Sequence, residues 1–454
     1  RSAEAYGIWK GRKENSFSVK VDYSEKGNNT AYLDYIYIQL QRSLQVYGQP
    51  TFFRTLSSIG NKSCFTIKNA DANTIVLDVT DALNPRIIEG VLNESNFSFV
   101  IPKEDRLREF VVFRLDNSVP VISANNSQKV AEQNLHALRQ ADMVIISPSA
   151  FKSEAERLKQ AHEEHDQLEN ILVVTPEEIY NEFSSGTPDA TAYRRLMKMF
   201  YDRSKNEQSN APKYLLLFGD GAYDNRFVSS EWKLFPSGMK NNMLLTYQTN
   251  ESLDDTSYVV DDYFGLLDDN EGVNISNDII DIGIGRFPVR TITEARNAVN
   301  KVISYMNAPV GDWKNKVCFI GDDGSNADQY ATYHQKYADE LADTLEENHA
   351  EYVSTKILFD AFKKDRSGKS SYPDIPPLIQ KTLKEGCFML NYTGHGSAKS
   401  LSEEAVITQS DIIQSTYKHL PIWITASCDF CPFDQVATSA GEDVFLNKVS
   451  GGIA

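Results

Sequence analysis

Residues 387–397, CFMLNYTGHGS, combine a strand-sized apolar run with a glycine-rich end around His395. A helix-like segment follows at 410–419, and then a second apolar run, LPIWITASC at 420–428, which ends in Cys428. A strand, a crossover helix and another strand in this order are typical of a parallel sheet. The stretch therefore predicts two neighbouring parallel strands that carry a histidine and a cysteine at their carboxyl ends.

The same alternation of strands and helices extends back to about residue 128, and it restarts after residues 308–315. We therefore predict an α/β protein with two tandem, doubly wound and mostly parallel subdomains, 128–310 and 311–454. Each subdomain contains a strand that runs into Gly-Asp, LLLFGDGAYD at 215–224 and VCFIGDDGSN at 317–326. This repeat indicates that the two subdomains share a design.

The N-terminal part of the chain, residues 1–127, has a different pattern. Apolar and polar residues alternate with a period of two in several segments, among them 16–24, 31–40 and 64–81. This period is typical of half-buried strands. We predict an N-terminal β-rich module, a sandwich, in front of the two α/β subdomains.

Length and composition limit the classes of function. A chain of 454 residues predicts two or three domains, and its end at SGGIA predicts a piece of a longer protein, truncated after Ala454. The 46 basic and 63 acidic residues give a net charge of −17, which disfavours nucleic acid and anionic membranes as partners. The longest apolar stretches are strand-sized, so no membrane-spanning segment is predicted.

His395 and Cys428 are 33 residues apart, which leaves room for one crossover helix between their strands. A thiol and an imidazole at one sheet edge suit acyl transfer, because the imidazole can activate the thiol and protonate the leaving amine. The backbone N–H groups of Gly396 and Cys428 are the candidate oxyanion donors. A third group should orient the imidazole, and the first strand of the same subdomain ends in Asp322 and Asp323.

The Cys428-x-x-Cys431 spacing has other interpretations. A structural zinc site needs about four ligands, yet the sequence holds no second Cys-x-x-Cys or Cys-x-x-His pair. A thiol–disulfide oxidoreductase that uses both cysteines remains an alternative, although the segment after Cys431 begins with proline and is loop-like. A catalytically silent surface-assembly module is the third alternative.

The motifs NYTGHGS (391–397) and IGRFPVRT (284–291), together with the later ASC, resemble the gingipain-type cysteine peptidases, relatives of the caspases by fold. The resemblance covers about 130–454. Within this family, TASCDF and TSAGEDVFLN look closer to the PorU-type sortases of the type IX secretion system than to the digestive gingipains. The resemblance implies that Cys428 and His395 form the catalytic dyad, and that Asp323, with Asp322 as the alternative, orients the histidine.

The resemblance also implies a function at the outer-membrane surface. Such a sortase cleaves the C-terminal secretion signal from cargo proteins through a thioester, here on Cys428, and passes the acyl group to water or to an amine of an anionic lipopolysaccharide. The implied partners are the cargo and an outer-membrane barrel of the PorV type. No cofactor is required, but family members can carry structural calcium, for which the acidic loop with Asp268, Asp269 and Asn270 is the candidate site.

Overall fold

The structure is a computed structural model, and the residues that it describes are 6–7, 18–21, 33, 35–116, 130–166, 168–205, 210–249, 258–273, 275, 277–323, 331–367 and 371–454. Contacts divide the chain into two compact units, one of residues 6–131 and one that contains residues 132–454. Among the described helices, none has the length and apolarity that crossing a membrane requires. The predicted domain boundaries themselves stay predictions.

The first unit is built from two antiparallel sheets. Phe65 and Ile67 of the second strand are buried while Thr66 between them is exposed, as the period of two predicts. Aromatic side chains from both sheets share one core, in which Phe65 stacks on Phe99 and contacts Phe110. The sheets have the strand orders β1-β7-β3-β4 and β2-β6-β5, with β1 Thr51–Phe53, β2 Ser63–Lys68, β3 Thr74–Asp78, β4 Arg86–Ile87, β5 Val91–Asn93, β6 Asn96–Ile101 and β7 Phe110–Arg114.

The strand predicted at 31–40 is wrong over the part that the structure describes. Residues 35–40 adopt no strand, and Ile36 and Ile38 are each 48% exposed. Their alternation therefore creates no buried face that would stabilise a strand. Most of the strand predicted at 16–24 lies outside the described residues.

The first α/β subdomain has a four-stranded parallel sheet with the order β11-β10-β8-β9. Alternate residues of β8 and β10 enter two different cores, one packed against α2 and α3 and the other against α1 and α6, so helices cover both faces. The elements are β8 Met143–Ile146, α1 Lys152–His165, β9 Ile171–Val174, α2 Pro176–Phe183, α3 Thr191–Ser204, β10 Tyr214–Phe218, α4 Ser230–Lys233, α5 Ser237–Lys240, β11 Gly283–Phe287 and α6 Ile292–Met306.

The second α/β subdomain repeats this plan, with a parallel sheet of order β13-β12-β14-β18 and helices on both faces. The strand order changes direction between β12 and β14, and ligands of open α/β sheets bind outside the carboxyl ends of the strands at such a point. Its elements are β12 Lys316–Gly321, α7 Ala331–Asn348, β13 Val353–Leu358, α8 Ile375–Glu385, β14 Met389–Thr393, β15 Gly396–Ser397, β16 Ser400–Leu401, β17 Ile407–Thr408, α9 Gln409–Gln414, β18 Ile422–Ala426 and α10 Ala440–Leu446.

The predicted fold class is confirmed, because the two parallel sheets follow an antiparallel β module along the chain. The local chemistry of the helix ends also agrees with the sequence. Thr175 caps α2 in a capping box with Glu178, with Pro176 in the first turn. Gly386 ends α8 with a φ of +89°, a conformation that favours glycine.

Candidate active site

The ends of β14 and β18 bring the predicted nucleophile and base to one edge of the sheet. Thr393 is aligned with Ala426 in the parallel ladder, and the N–H of Gly394 donates to the carbonyl of Ala426 at 3.1 Å. His395 and Cys428 each lie two residues beyond this aligned pair. Cys428 is exposed and His395 is half-buried, so the thiol is open to a substrate while the histidine is anchored in the protein.

The backbone of His395 is held on both sides. Its N–H donates to Oδ2 of Asp322 at 2.9 Å. Its carbonyl accepts from the hydroxyl of Tyr392 at 2.7 Å and from the N–H of Ser402 at 2.8 Å. Because these partners come from the ends of β12, β14 and β16, three strands together fix the position from which the imidazole projects.

Asp322 is the buried acid of this site, with 1% of its surface exposed. Burial raises the pKa of its carboxyl to about 7, although the hydrogen bonds from the N–H of His395 and the hydroxyl of Tyr392 act in the opposite direction. The neighbouring carboxyl groups of Asp323 and Glu404 raise this pKa further. Near neutral pH the Asp322 carboxyl therefore gains and loses its proton while it accepts the hydrogen bond from the backbone of His395.

Asp323 points to different partners. Its Oδ2 accepts from Nζ of Lys364 at 2.5 Å and from the hydroxyl of Tyr372 at 2.7 Å, and Lys364 also pairs with Glu404 at 2.8 Å. Burial lowers the pKa of the Lys364 ammonium, but the hydrogen bonds with the two carboxylates outweigh burial and place this pKa above its usual range. Oxygens of Asp322, Asp323 and Glu404 lie within 4.8 Å of one another, and Lys364 supplies positive charge to two of them.

The two candidate acids thus differ in what they contact. Asp322, the alternative, binds the backbone of His395, whereas Asp323, the preferred candidate, binds Lys364 and Tyr372. Asp322 therefore positions the histidine residue through its backbone. The assignment of an acid to the imidazole itself stays a prediction.

Cys431 occupies an environment unlike that of Cys428. A Cβ on Gly441 would lie 2.4 Å from Cβ and 2.9 Å from Sγ of Cys431, so this side chain packs against the first turn of α10 even though the residue as a whole is exposed. Burial, together with the charge of Glu442, raises the pKa of the Cys431 thiol to about 12. A thiol with this pKa forms little thiolate at neutral pH, which disfavours a reactive Cys428–Cys431 pair.

Gly394 and Gly396, on either side of His395, lie so close to other segments of the chain that neither position has room for a Cβ atom. A Cβ on Gly394 would lie 2.1 Å from Cβ of Asp322, and one on Gly396 would lie 2.7 Å from Oγ of Ser427, next to Cys428. The Gly-His-Gly motif thus lets the end of β12 and the cysteine segment close in on the histidine.

We expect Gly394→Ala to lower kcat about a hundredfold and the free energy of unfolding by about 1–3 kcal/mol, because the new methyl group must push the His395 loop away from Asp322. Peptide-cleavage kinetics and urea unfolding measure the two effects. Gly238→Ala is the matched control, since a Cβ there meets nothing within 4 Å. Wild-type kcat in Gly394→Ala would contradict the tight packing described here.

The match to a family model agrees with this geometry. The model, described as peptidase family C25, matches residues 136–454, which include both α/β sheets and the site. The chain belongs to peptidase family C25. This is the gingipain family of cysteine peptidases, so the resemblance that the motifs indicate is confirmed at the level of the family.

Three solved structures are similar to this C25 chain. Dimeric latent PorU from Porphyromonas gingivalis has 37% identity and a TM-score of 0.49, and the match covers 58% of this chain and 25% of that chain. The Arg-specific gingipain R has 16% identity and a TM-score of 0.49, with 71% and 63% covered. The complex of Porphyromonas gingivalis RgpB pro- and mature domains has 17% identity and a TM-score of 0.49, with 68% and 62% covered.

This C25 chain thus spans a quarter of the PorU chain and less than two thirds of gingipain R. No curated protein matches it. Since the TM-scores are below 0.5, family membership rests on the family model and on the motifs.

The sequence did not indicate that His334 lies beside His395. His334 lies on α7, and its ring is perpendicular to that of His395, at 89° with 5.1 Å between the ring centroids. The contact depends on how α7 packs over the sheet, and no local pattern around His334 indicates it.

In the candidate calcium loop, Asp269 forms ion pairs with lysines and Asp268 accepts a hydrogen bond from a tyrosine. Asp269 pairs with Lys198 at 2.9 Å and with Lys205 at 3.6 Å, and Asp268 accepts from the hydroxyl of Tyr201 at 2.8 Å. Asn270 has a φ of +72°, which is typical of a tight turn. The lysines supply the positive charge that the acidic residues need, and calcium at this loop stays a prediction.

Proposed function

We propose that the chain is a cysteine endopeptidase and transpeptidase of the sortase type, with Cys428 as nucleophile and His395 as base. The observation that carries the proposal is the alignment of β14 and β18, which puts an exposed thiol and an anchored histidine equally far beyond one aligned pair of residues. Geometry of this kind suits covalent catalysis, in which one difficult step is divided into two.

In the first step, Sγ of Cys428 attacks the scissile carbonyl, and the imidazole of His395 takes the thiol proton. The C–N bond then breaks, and the imidazole returns the proton to the leaving amine, which leaves a thioester on Cys428. The N–H groups of Gly396 and Cys428 are the proposed donors to the oxyanion. Water or an amine resolves the thioester, and the product is a free carboxyl group or a new amide bond.

We assign the substrate as a cargo protein whose C-terminal secretion signal is the leaving group. The likeness of TASCDF and TSAGEDVFLN to the PorU-type sortases supports this assignment, as does membership of family C25. The same likeness supports a place at the outer-membrane surface, an outer-membrane barrel of the PorV type as partner, and anionic lipopolysaccharide as the acyl acceptor.

The test uses the full-length protein and a cargo peptide that ends in its secretion signal, with and without glycinamide as an amine acceptor. We expect mass spectrometry to find a thioester on Cys428 and, with glycinamide, an amide product at the expense of the hydrolysed one. A peptide cleaved without any adduct on Cys428 would refute covalent catalysis there. Hydrolysis unaffected by any amine would refute the transpeptidase part and leave the peptidase part intact.

A further inference from the structure

The segment that follows Cys428 is held by the first α/β subdomain. We call residues 429–438 the nucleophile loop. The N–H of Tyr223 donates to the carbonyl of Asp434 at 2.9 Å, and a Cβ on Gly221 would lie 3.0 Å from the ring of Phe433. The guanidinium of Arg286 lies over the same ring, 4.8 Å from its centroid. The carboxyl edge of the first sheet therefore forms the support on which this loop rests.

Arg290 makes the most extensive of these contacts. It follows β11, is 8% exposed, and donates from Nη1 to the carbonyl of Val436 at 2.7 Å and from Nη2 to the carbonyl of Gln435 at 2.9 Å. Its Nε pairs with the fully buried Asp220, and its Nη2 approaches Glu442 of α10 at 3.4 Å. A planar guanidinium can hold two adjacent carbonyls and two carboxylates at once, which a lysine ammonium cannot do in the same geometry.

The loop between Cys428 and these contacts is short and turned. The N–H of Phe430 donates to the carbonyl of Cys428 at 3.1 Å, and the N–H of Phe433 donates to the carbonyl of Cys431 at 2.9 Å. Phe430 is 3% exposed and its carbonyl accepts from the N–H of Gly441. These two turns leave only a short segment between Cys428 and the residues that the first subdomain contacts, Phe433 to Val436.

The two Gly-Asp motifs of the sequence each place a buried aspartate after a central strand, although these two strands are not equivalent in the order of their sheets. Asp322 follows β12 and accepts from the backbone N–H of His395. Asp220 follows β10, which holds the place of β14 when the order β9-β8-β10-β11 is set against β13-β12-β14-β18, and it pairs with the arginine that holds the nucleophile loop. One buried aspartate thus supports the histidine side of the site, and the other supports the cysteine side through Arg290.

We propose that Arg290, held by Asp220, is a positioning residue for Cys428, and that the first α/β subdomain, which supplies neither member of the dyad, acts by fixing the nucleophile loop. This inference rests on the proposed function for its catalytic consequence. Its structural part, the fixing of the loop by Arg290, can be measured without any substrate.

The test compares Arg290→Lys with wild type in the full-length protein. Lysine keeps the positive charge beside Asp220 but loses the paired bonds to the carbonyls of Gln435 and Val436. We expect amide hydrogen exchange in residues 429–438 to become at least about tenfold faster. We also expect labelling of Cys428 by a peptidyl chloromethyl ketone, which requires the aligned dyad, to become about tenfold slower. Labelling by iodoacetamide at about pH 10, where an accessible thiol ionises without help from the imidazole, should change less than twofold.

Arg194→Lys is the matched control. Arg194 also donates to two backbone carbonyls, those of Leu266 and Glu271, at 2.6 and 2.9 Å, but these lie within the first subdomain and away from the nucleophile loop. A general loss of stability would affect both variants alike. If Arg290→Lys and Arg194→Lys show the same loop exchange and the same labelling rates, the positioning role is refuted.

A second variant covers the case in which Arg290→Lys does not fold. Phe433→Leu keeps an apolar side chain against Gly221 but removes the ring under Arg286, and we expect about threefold effects in the same directions. Unchanged loop exchange in this variant would overturn the part of the proposal in which the first α/β subdomain as a whole fixes the nucleophile loop. If wild type is not labelled at Cys428 by the chloromethyl ketone, the proposed function fails, and the exchange data still decide whether Arg290 fixes the loop.

Discussion

Cys428→Ala and His395→Ala are each expected to lower kcat for cleavage of a signal-bearing cargo by about 10⁴- to 10⁶-fold, because each removes one member of a unit that acts together. For the same reason the double variant should be no slower than the slower single variant. The measurement is single-turnover cleavage at saturating enzyme, followed by mass spectrometry of the cargo. Cleavage that survives in Cys428→Ala at more than about one hundredth of the wild-type rate would refute the nucleophile assignment.

Cys431→Ala is the control within the same loop, and we expect it to keep kcat within about threefold of wild type. The Cys431 side chain packs against Gly441, and the pKa of its thiol is raised to about 12, so it contributes packing and little thiolate. The oxidoreductase alternative requires both cysteines and can dispense with His395. Equal losses in Cys428→Ala and Cys431→Ala, with His395→Ala active, would therefore replace the peptidase assignment by the oxidoreductase one.

The neighbourhood of His395 and Cys428 could be predicted because it depends on strand order alone. A strand, one crossover helix and a second strand leave few arrangements, and the parallel register of β14 and β18 confirms the one that was predicted. The identity of the acid beside the histidine could not be predicted in this way. Asp322 and Asp323 are consecutive residues at a strand end, so their side chains point in different directions. Asp322 reaches His395 and Asp323 reaches Lys364, a difference set by the register of three strands.

Other differences between prediction and structure also have physical causes. The buried residues of helix α3, among them Tyr193, Met197 and Phe200, recur at helical spacing, so the sequence held a usable signal for this helix. At 31–40, in contrast, the sequence pattern was misleading. Apolar and polar residues alternate there as in a strand, but Ile36 and Ile38 stay half-exposed and residues 35–40 form no strand. The contact of His334 with His395 and the contacts of Arg290 with the nucleophile loop arise only when distant segments pack together, and no local pattern specifies them.

Asp322→Asn is expected to become more stable relative to wild type as the pH rises from 5 to 8. Burial, together with the nearby carboxyl groups, raises the pKa of the Asp322 carboxyl in the folded chain from 3.8 to about 7. Between these two values the folded chain holds a proton that the unfolded chain has released. The protonated Asp322 carboxyl therefore stabilises the folded wild-type chain fully below about pH 4, and this stabilisation is lost as the pH rises through about 7.

The size of the effect follows from the two pKa values. The full difference between 3.8 and about 7 corresponds to about 4 kcal/mol, of which about 3 kcal/mol falls between pH 5 and pH 8. Asparagine cannot ionise, so the free energy of unfolding of Asp322→Asn minus that of wild type should rise by about 3 kcal/mol over this range. Urea unfolding followed by tryptophan fluorescence measures it, since Trp232, Trp313 and Trp423 all lie in the unit that contains Asp322.

Asp142→Asn is the control for this experiment. Burial raises the pKa of the Asp142 carboxyl, but its hydrogen bond and ion pair with Lys213 outweigh burial and leave the pKa below its usual value. Asp142 therefore stays ionised in the folded and the unfolded chain from pH 5 to pH 8, and its replacement should shift stability by an amount independent of pH. A stability difference between Asp322→Asn and wild type that is equally independent of pH would mean that Asp322 is ionised throughout. The support of the His395 backbone would then come from a carboxylate rather than from a carboxyl group that titrates near neutral pH.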